Sequence, residues 1–294
     1  MLSQLGHQVT LDQSYNTDSC DLLVALHARR SYDSIQRFYE VHPERPLIVV
    51  LTGTDLYRDI RSNRNAQRSL ELATRIVSLQ RMALAELPTR LHRKTRVIYQ
   101  SAAPYRVKPL SWNSRHFKIC VIGHLRNEKD PLRTAMAVRR LPPDSRIQVL
   151  HVGRALDANL EKRARAETAK NPRYRWIGEL PHWKTRRLLA QSHLAVITSR
   201  IEGSSNVLSE AIASSVPVIA SRISGLMGTL GKFYPGYFAV GDTRKLAALL
   251  TKAESDPAYY RLLKSRCAGL LTLVRPAREL RAWRALLREL EPSR

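Results

Sequence analysis

The stretch TSRIEGSSNVLSEAIASSVPVIAS (198–221) decides the fold class of this 294-residue chain. An apolar strand is predicted to end at Ser199, and a short polar loop follows it. A helix is expected to begin near Asn206, whose side chain suits a helix cap. A second apolar strand, PVIAS (217–221), follows a turn of small residues. This order of strand, helix and strand is typical of a parallel α/β layer.

Apolar runs of the same kind recur along the chain and alternate with helical patterns. The further runs predicted to be buried strands are DLLVALH (21–27), LIVVLTG (47–53), FKICVIG (117–123), IQVLHVG (147–153) and HLAVITS (193–199). The segments with a helical pattern are 66–87, 128–141, 157–170 and 206–215. The alternation predicts doubly wound α/β layers, in which strands are covered on both faces.

A change of composition near 100–116 predicts two domains. This stretch carries two prolines and little periodicity, so we interpret it as a linker between domains. The predicted limits are 1–108 for the first domain, 109–270 for the second and 271–294 for an amphipathic helix. The apolar face of that helix is predicted from its spacing to be Leu280, Trp283, Leu287 and Leu290. We expect the helix to dock on the protein rather than on a membrane.

The start of the chain departs from the pattern of a Rossmann-like domain. The segment SQLGHQVTL (3–11) reads as a helix end, a glycine stop and a strand. Such a domain normally opens with a strand before this helix. We therefore expect an N-terminal domain without its first strand, in a chain that begins late.

The charge balance favours anionic partners. Lys plus Arg number 49 against 25 Asp plus Glu, which gives a net charge of +24. Basic residues run along the whole chain without a dense block, so we expect an Arg-rich solvated surface and no nucleic-acid partner. Three distant cysteines without a CxxC pair argue against a disulfide framework or metal site and favour a reducing cytoplasm. No apolar stretch approaches the ~20 residues of a membrane span, and no signal peptide is recognisable.

The loop between Ser199 and Asn206 suits a phosphorylated ligand. Backbone N–H groups at a helix start and small side chains allow close approach of a phosphate. Glu202 and Glu210 flank that helix start and could hold sugar and ribose hydroxyls. The alternative is an ordinary helix start with two solvated glutamates.

The same stretch resembles the E-x7-E signature of retaining family-four glycosyltransferases, which have the GT-B fold of two Rossmann-like domains with a cleft between them. Glu202 and Glu210 have the required separation, and Gly203, Pro217 and Val218 also match. The resemblance implies that Glu210 binds the donor ribose and that Glu202 contacts the transferred sugar. It also implies that sugar and diphosphate are held by the backbone of Gly203, Ser204, Ser205, Asn206 and Val207.

A second resemblance covers CVIGHLRNEKDP (120–131), which is similar to the G-R-L-x-x-x-K segment of the same family. Gly123 and Lys129 match, and Lys129 would bind the donor phosphates. His124 stands at the usual arginine position, and Arg126 could supply the missing charge. Two further segments match the family: WIGELPH (176–182), whose Leu180 would touch the base, and VGDTRKLAALL (240–250). The resemblance covers most of 117–250 and makes this half the donor domain.

The acceptor half resembles the family more loosely. TGTD (52–55) is similar to an H-G-T-D loop, with Thr52 in place of the histidine, and His27 matches a family histidine. The segments LHARRS, LTGTDLYRD, GHLRNEKDP and EGSSNVLSEA together resemble the selenosugar synthases of selenoneine biosynthesis. That family joins selenophosphate to a UDP-sugar. The acceptor-binding residues implied are His27, Arg29, Arg30, Gly53, Thr54 and Asp55; the alternative for the arginines is a solvated pair.

The reaction expected from these resemblances is substitution at the anomeric carbon of a nucleotide sugar. Glu202, Lys129 and Arg126 are the predicted catalytic residues. No D-x-D stands on a suitable loop, so we expect neither a metal nor another cofactor. Three alternatives stay open: a transferase with a sugar or lipid acceptor at a membrane surface, a basic nucleic-acid-binding protein, and a truncated protein that binds donor without turnover.

Overall fold

The computed structural model describes residues 1–105, 107 and 110–291, and these divide into two compact units. The first unit contains Met1–Ser101, the loop Ile201–Ser205 and the chain from Arg275 onward. The second contains Ala102–Arg200 and Asn206–Val274. The predicted limit between 108 and 109 lies outside the described residues, so the predicted domain limits stay a prediction.

The elements alternate between strands and helices, as the apolar runs predict. The strands are β1 Leu23–Leu26, β2 Leu47–Val50, β3 Arg75–Ser78, β4 Thr95–Val97, β5 Phe117–Ile122, β6 Ile147–Val152, β7 Tyr174–Trp176, β8 Leu194–Ile197, β9 Val218–Ser221 and β10 Tyr237–Phe238. The α-helices are α1 Tyr32–Val41, α2 Ile60–Ser62, α3 Arg64–Leu72, α4 Thr89–His92, α5 Arg133–Val138, α6 Ala158–Lys170, α7 His182–Ala190, α8 Asn206–Ala213, α9 Ser224–Leu230, α10 Thr243–Ser255, α11 Pro257–Ala268 and α12 Pro276–Arg288. Short 3-10 turns lie at Ser3–Leu5, Arg81–Glu86 and Asn127–Lys129, and a π turn lies at Asp55–Asp59.

The first unit is built on a parallel sheet in the order β1-β2-β3-β4. Alternate residues of a strand point to opposite faces, so each strand contributes side chains to two apolar clusters. Leu47, Val49 and Ile76 lie in the larger apolar cluster, together with residues of α1 and α3. Ile48 and Val77 lie in a second cluster, which α12 completes. A helix from the end of the chain therefore covers one face of the N-terminal sheet.

Helix α12 docks on the protein, as expected, through a face that includes the predicted Trp283 and Leu290 but centres on Leu286. Leu286 is fully buried in the cluster with β2 and β3, and Trp283 and Leu290 pack beside it. Leu287, predicted to lie on the apolar face, is only half-buried and is not part of this cluster. The spacing 283, 286, 290 also fits a helical face, and only the position of the sheet selects it.

The second unit is built on a parallel sheet in the order β10-β9-β8-β5-β6-β7. One large apolar cluster surrounds its central strands, which read as continuous apolar runs because both faces are covered. Strand β5 has β6 on one side and β8 on the other. The chain thus winds outward in one direction from β5 to β7 and in the other from β8 to β10.

The prediction of one helix over 66–87 is wrong. Helix α3 ends at Leu72, and strand β3 follows at Arg75–Ser78. Ile76 and Val77 are fully buried between β2 and β4, so sheet pairing overrides the helical pattern there. Strands β4, β7 and β10 also escaped prediction; they have two or three residues each, too few for a recognisable apolar run.

The helix predicted over 128–141 shortens to α5. Asp130 has a left-handed backbone, with φ of 44°, and Pro131 follows it, so the chain cannot continue as one helix through this point. At the start of the chain, Gly6 adopts the predicted left-handed stop with φ of 93°. The strand predicted after it is wrong: residues 7–22, all of them described, form no strand, and most of them are exposed.

Two smaller predictions concern buried thiols and membrane spans. Cys120 is fully buried, as expected, and burial raises its pKa to about 12. All three cysteines are free thiols. No helix within the described ranges is long and apolar enough to cross a bilayer.

Candidate donor and acceptor loops

The point where the second sheet changes winding direction carries both predicted donor loops. Strands β5 and β8 are neighbours, and the loops after them begin at the same sheet edge. In open parallel sheets, ligands bind outside the carboxyl ends of strands at such a point. A shallow cavity opens here, lined by Val121, Ile122, Gly123, Lys129, Pro131, His151, Val196, Ile197, Thr198 and Ser199.

Backbone groups fasten these two loops to each other. The Thr198 hydroxyl donates to the carbonyl oxygens of Lys129 at 2.9 Å and Asp130 at 3.0 Å. The Arg200 N–H donates to the Glu128 carbonyl oxygen at 2.8 Å. The main-chain carbonyls of the β5 loop thus accept bonds from the β8 loop. The Lys129 side chain runs past Gly123 toward the cavity, with its Cδ 3.8 Å from where a Gly123 Cβ would stand.

Two cationic or polar side chains of the β5 loop are exposed. Arg126 is exposed, and no ion pair of its guanidinium is found among the described residues. His124 is also exposed, but its Nδ1 accepts the Arg154 N–H at 3.0 Å. That bond ties the β5 loop to the loop after β6 and orients the imidazole.

A buried histidine, His151, forms a hydrogen bond with the backbone of the same loop. His151 has no exposed surface; its Nε2 lies 3.0 Å from the Gly123 carbonyl oxygen, and its Nδ1 lies 2.7 Å from the Tyr174 hydroxyl. A carbonyl can only accept, so Nε2 carries the proton and Nδ1 accepts from Tyr174. Burial lowers the pKa of His151 to about 4, so the ring is neutral at pH 7.

The second glutamate of the E-x7-E pair lies in α8 among residues of α7. Glu210 is 9% exposed, and its Oε1 lies 2.9 Å from His182 Nε2 and 3.7 Å from Arg186 Nη1. Leu180 lies in the turn just before α7, and its carbonyl oxygen accepts the Thr185 hydroxyl at 3.4 Å. Leu180 thus precedes α7 in the chain, and Glu210 contacts α7 from α8.

The loop that carries Glu202 belongs to the first unit and packs against the TGTD loop. A Cβ on Gly203 would lie 1.0 Å from the Thr52 carbonyl oxygen, and one on Gly53 would lie 2.8 Å from the Gly203 backbone nitrogen. Both glycines are required here because two backbones touch. Glu202 is 8% exposed and Ser205 4% exposed, while Ser204 is half-buried.

Asp55 of the TGTD loop is an internal anchor. Its carboxylate has no exposed surface and accepts the backbone N–H groups of Ala28, Thr52 and Leu56, each at 3.0 Å, and the Thr52 hydroxyl at 3.0 Å. These bonds join the loop after β1 to the loop after β2. Asp55 therefore shapes this edge of the sheet from inside.

His27 stands at the end of β1 with a left-handed backbone, at φ of 78°. Its Nδ1 accepts the Arg30 N–H at 3.2 Å, so Nε2 carries the proton of the neutral ring and donates to the Thr54 hydroxyl at 2.9 Å. Burial lowers the pKa of His27, and the carboxylates of Asp55 and Asp59, each 3.9 Å away, oppose that shift.

The predicted acceptor arginines differ in their surroundings. Arg29 is 45% exposed at its side chain, and its Nη1 lies 3.4 Å from Asp59 Oδ1, so it is partly engaged inside the protein. Arg30 is exposed, and its backbone N–H donates a hydrogen bond to His27 Nδ1. Asp59 was not predicted as a site residue; it is 4% exposed, and its Oδ2 has no hydrogen-bond partner among the described residues.

Sequence reasoning missed His182 and Arg186, which flank Glu210, and His151, which holds Gly123. A four-residue spacing places His182 and Arg186 on one face of α7, and this is the single local signal available. Within the described ranges, no cluster of three or more histidine, cysteine, aspartate or glutamate side chains could hold a metal ion. Metal independence stays a prediction.

Known proteins with the same fold match most of this chain. HepE of Anabaena, in complex with UDP and glucose, superposes with a TM-score of 0.76 at 18% identity, over 92% of this chain and 78% of its own. Sucrose-phosphate synthase from Thermosynechococcus elongatus gives a TM-score of 0.74 at 18% identity, over 93% and 74%. A trehalose-phosphate synthase from Burkholderia xenovorans, in complex with glucose-6-phosphate, gives 0.73 at 12% identity, over 96% and 74%.

These identities establish the fold and nothing finer. The sequence itself supplies the family, because the family model described as "Glycosyl transferases group 1" matches residues 106–267. That range is more than half of the chain and contains the whole second sheet with both of its switch-point loops. Fold and sequence agree: the chain has the GT-B fold and belongs to the group 1 glycosyltransferases.

Proposed function

We propose that the chain transfers a sugar from a UDP-sugar, UDP-N-acetylglucosamine, to selenophosphate. The observation that carries the donor half is the Lys129 side chain at the cavity between the carboxyl ends of β5 and β8. Anionic ligands favour this edge of a parallel sheet, and a lysine there supplies the charge for a diphosphate. HepE, which has the same fold, was solved with UDP and glucose, and this favours UDP as the nucleotide.

Each part of the donor is assigned to residues of a different loop or helix start. Lys129 and the exposed Arg126 bind the diphosphate, with Gly123 leaving room for it and His124 at the rim. Glu210 binds the ribose, and Leu180 lies beside the base. In this proposal Glu202 contacts the transferred sugar, and the backbone of Gly203, Ser204, Ser205, Asn206 and Val207 faces sugar and diphosphate.

The acceptor half rests on the loops after β1 and β2. Arg29 and Arg30 are exposed cations, as a phosphate dianion requires. His27, Gly53, Thr54 and Asp55 shape the same edge, and Asp55 does so from a fully buried position. The resemblance of LHARRS and LTGTDLYRD to selenosugar synthases supports selenophosphate as the acceptor.

The reaction forms one bond and breaks one. Selenium of selenophosphate attacks the anomeric carbon, and the bond from that carbon to the UDP oxygen breaks. The electron pair leaves with UDP, and Lys129 and Arg126 stabilise the charge that develops on the diphosphate. This scheme uses no metal and no cofactor, and a reducing cytoplasm would suit the selenium nucleophile.

The test is mass spectrometry of the purified protein after incubation with UDP-N-acetylglucosamine and selenophosphate. We expect a selenium-containing sugar together with free UDP. UDP release that requires a sugar or lipid acceptor instead would overturn the selenophosphate assignment and keep the transferase. If the protein binds UDP but no acceptor yields product, a donor-binding protein without turnover replaces the proposal.

A further inference from the structure

The carboxylate of Glu210 is surrounded by side chains whose roles the proposed reaction leaves open. Glu210 is 9% exposed, and its Oε1 faces two nitrogen-bearing side chains of α7, His182 at 2.9 Å and Arg186 at 3.7 Å. A buried carboxylate needs a charged or hydrogen-bonding partner to stay ionised. The two partners differ in how they could serve that need.

Arg186 is held in place. It is 7% exposed, and its Nη2 donates to the carbonyl oxygen of Ala103, near the start of the second unit. Its Nε is buried and has no hydrogen-bond partner among the described residues. A guanidinium fixed by the backbone on one side and by Glu210 on the other cannot leave the carboxylate without leaving a buried charge behind.

His182 is free to move by comparison. Its side chain is 76% exposed, although its Nε2 occupies the same oxygen of Glu210. An exposed imidazole loses little when it turns to water. The oxygen that His182 covers can therefore change partner, while the contact with Arg186 stays.

We propose that Arg186 is a positioning residue for the donor ribose. It holds the Glu210 carboxylate directed at the ribose hydroxyls, and His182 occupies the accepting oxygen until a hydroxyl replaces it. This inference rests on the proposed function, in which Glu210 binds the ribose.

The experiment compares calorimetric binding of UDP and 2′,3′-dideoxy-UDP to the full chain and its variants. We expect wild type to prefer UDP. Glu210→Gln and Arg186→Met should each weaken UDP binding by about 10- to 100-fold, since each removes support for a charge-assisted hydrogen bond. Both should lose the preference for UDP. The double variant should be no weaker than Glu210→Gln by more than about twofold, because Arg186 acts through Glu210.

Matched controls separate positioning from general damage. Arg187→Met removes an exposed arginine from the same helix and should leave UDP binding unchanged. His182→Ala should bind UDP at least as tightly as wild type, and a tenfold loss would transfer the ribose contact to His182. Thermal melting identifies variants that fail to fold. If Arg186→Met fails to fold, Arg186→Lys takes its place, because lysine keeps the charge but not the planar guanidinium. Arg186→Lys should lose part of the preference for UDP over the dideoxy nucleotide.

The outcomes distinguish the two proposals. Undiminished UDP binding by Glu210→Gln would refute the ribose role in the proposed function. If Glu210→Gln bound UDP more weakly but Arg186→Met bound UDP like wild type, only the positioning role of Arg186 would be refuted. Equal weakening of both nucleotides by Arg186→Met would show that Arg186 serves only the fold.

Discussion

The two parallel sheets of this protein build their carboxyl edges in opposite ways. In the first unit, the loops after β1 and β2 are anchored through a side chain: Asp55 is fully buried and accepts three backbone N–H groups. In the second unit, the loops after β5 and β8 are anchored through main-chain carbonyls, with Thr198 donating to Lys129 and Asp130. Asp55 thus uses its carboxylate to bind the protein's own backbone, whereas the contacts between the β5 and β8 loops end on main-chain carbonyl oxygens.

This contrast predicts where substitutions act. Changes to Lys129 and Arg126 of the β5 loop should lower turnover more than they lower the free energy of unfolding. Changes to Asp55 should lower the free energy of unfolding first. Both loops lie at the carboxyl ends of parallel strands, so their position alone does not distinguish the two kinds of residue.

The largest effect is expected for Lys129→Ala. Removing a donor to the departing diphosphate should lower turnover by about 10²–10³-fold. The Lys129 carbonyl that accepts the Thr198 hydroxyl remains in the variant, so the loss of turnover should exceed any change in the free energy of unfolding. Turnover and thermal melting check this, with Lys118→Ala, an exposed lysine on β5, as the control. A Lys129→Ala variant that lost stability but kept its turnover would contradict this prediction.

The next effect concerns acid and the support beneath the β5 loop. Burial lowers the pKa of His151 to about 4 in the folded protein. In the unfolded chain the same imidazole is protonated already near pH 6.5. Stability is thus present above pH 6.5 and is lost as pH falls toward 4, by about 3 kcal/mol in total. Urea unfolding of wild type and His151→Gln across this range measures it. The variant should lose less stability; parallel curves would contradict the prediction.

A smaller loss, about 2 kcal/mol in the free energy of unfolding, is expected for Asp55→Asn. The amide cannot accept all of the N–H donors that converge on the carboxylate, and hydrogen bonds to charged groups contribute roughly 1.5–3 kcal/mol. Chemical denaturation checks this, with exposed Asp12→Asn as the control. A variant that kept full stability but lost turnover would move Asp55 into the reactive part of the site.

The smallest effect should come from Glu289→Gln. Glu289 receives hydrogen bonds from Arg96 at 2.7 Å and Arg75 at 3.0 Å, and the bond from Arg96 is the main reason its pKa lies below the usual range. All three side chains are partly solvated, so the loss in unfolding free energy should stay under about 1 kcal/mol. Denaturation at low and high salt measures it. A loss above 2 kcal/mol would show that α12 is attached mainly by charge and not by Leu286.

Six strands could be predicted because each lies in a continuous apolar run; the run predicts even β1, an edge strand whose Leu26 is exposed. Strand β3 could not, since Arg75–Ser78 is short and lies beside a helical pattern. Its strand conformation comes from pairing with β2 and β4, and neither of these strands adjoins β3 in the sequence. The helix predicted over 128–141 was found but began too early, because Asp130 and Pro131 interrupt a pattern that apolar spacing alone would continue.

The sequence by itself determined the parallel α/β class, the spacing of Glu202 and Glu210 and the loop position of Lys129. These depend on neighbours within a few residues, where periodicity and turn chemistry act. Only the tertiary structure decided that Arg186 faces Glu210, that Thr52 leaves no room for a side chain at Gly203, and that Leu286 covers the N-terminal sheet. Each of those contacts joins distant parts of the chain, and packing in three dimensions selects it from many arrangements that local spacing permits.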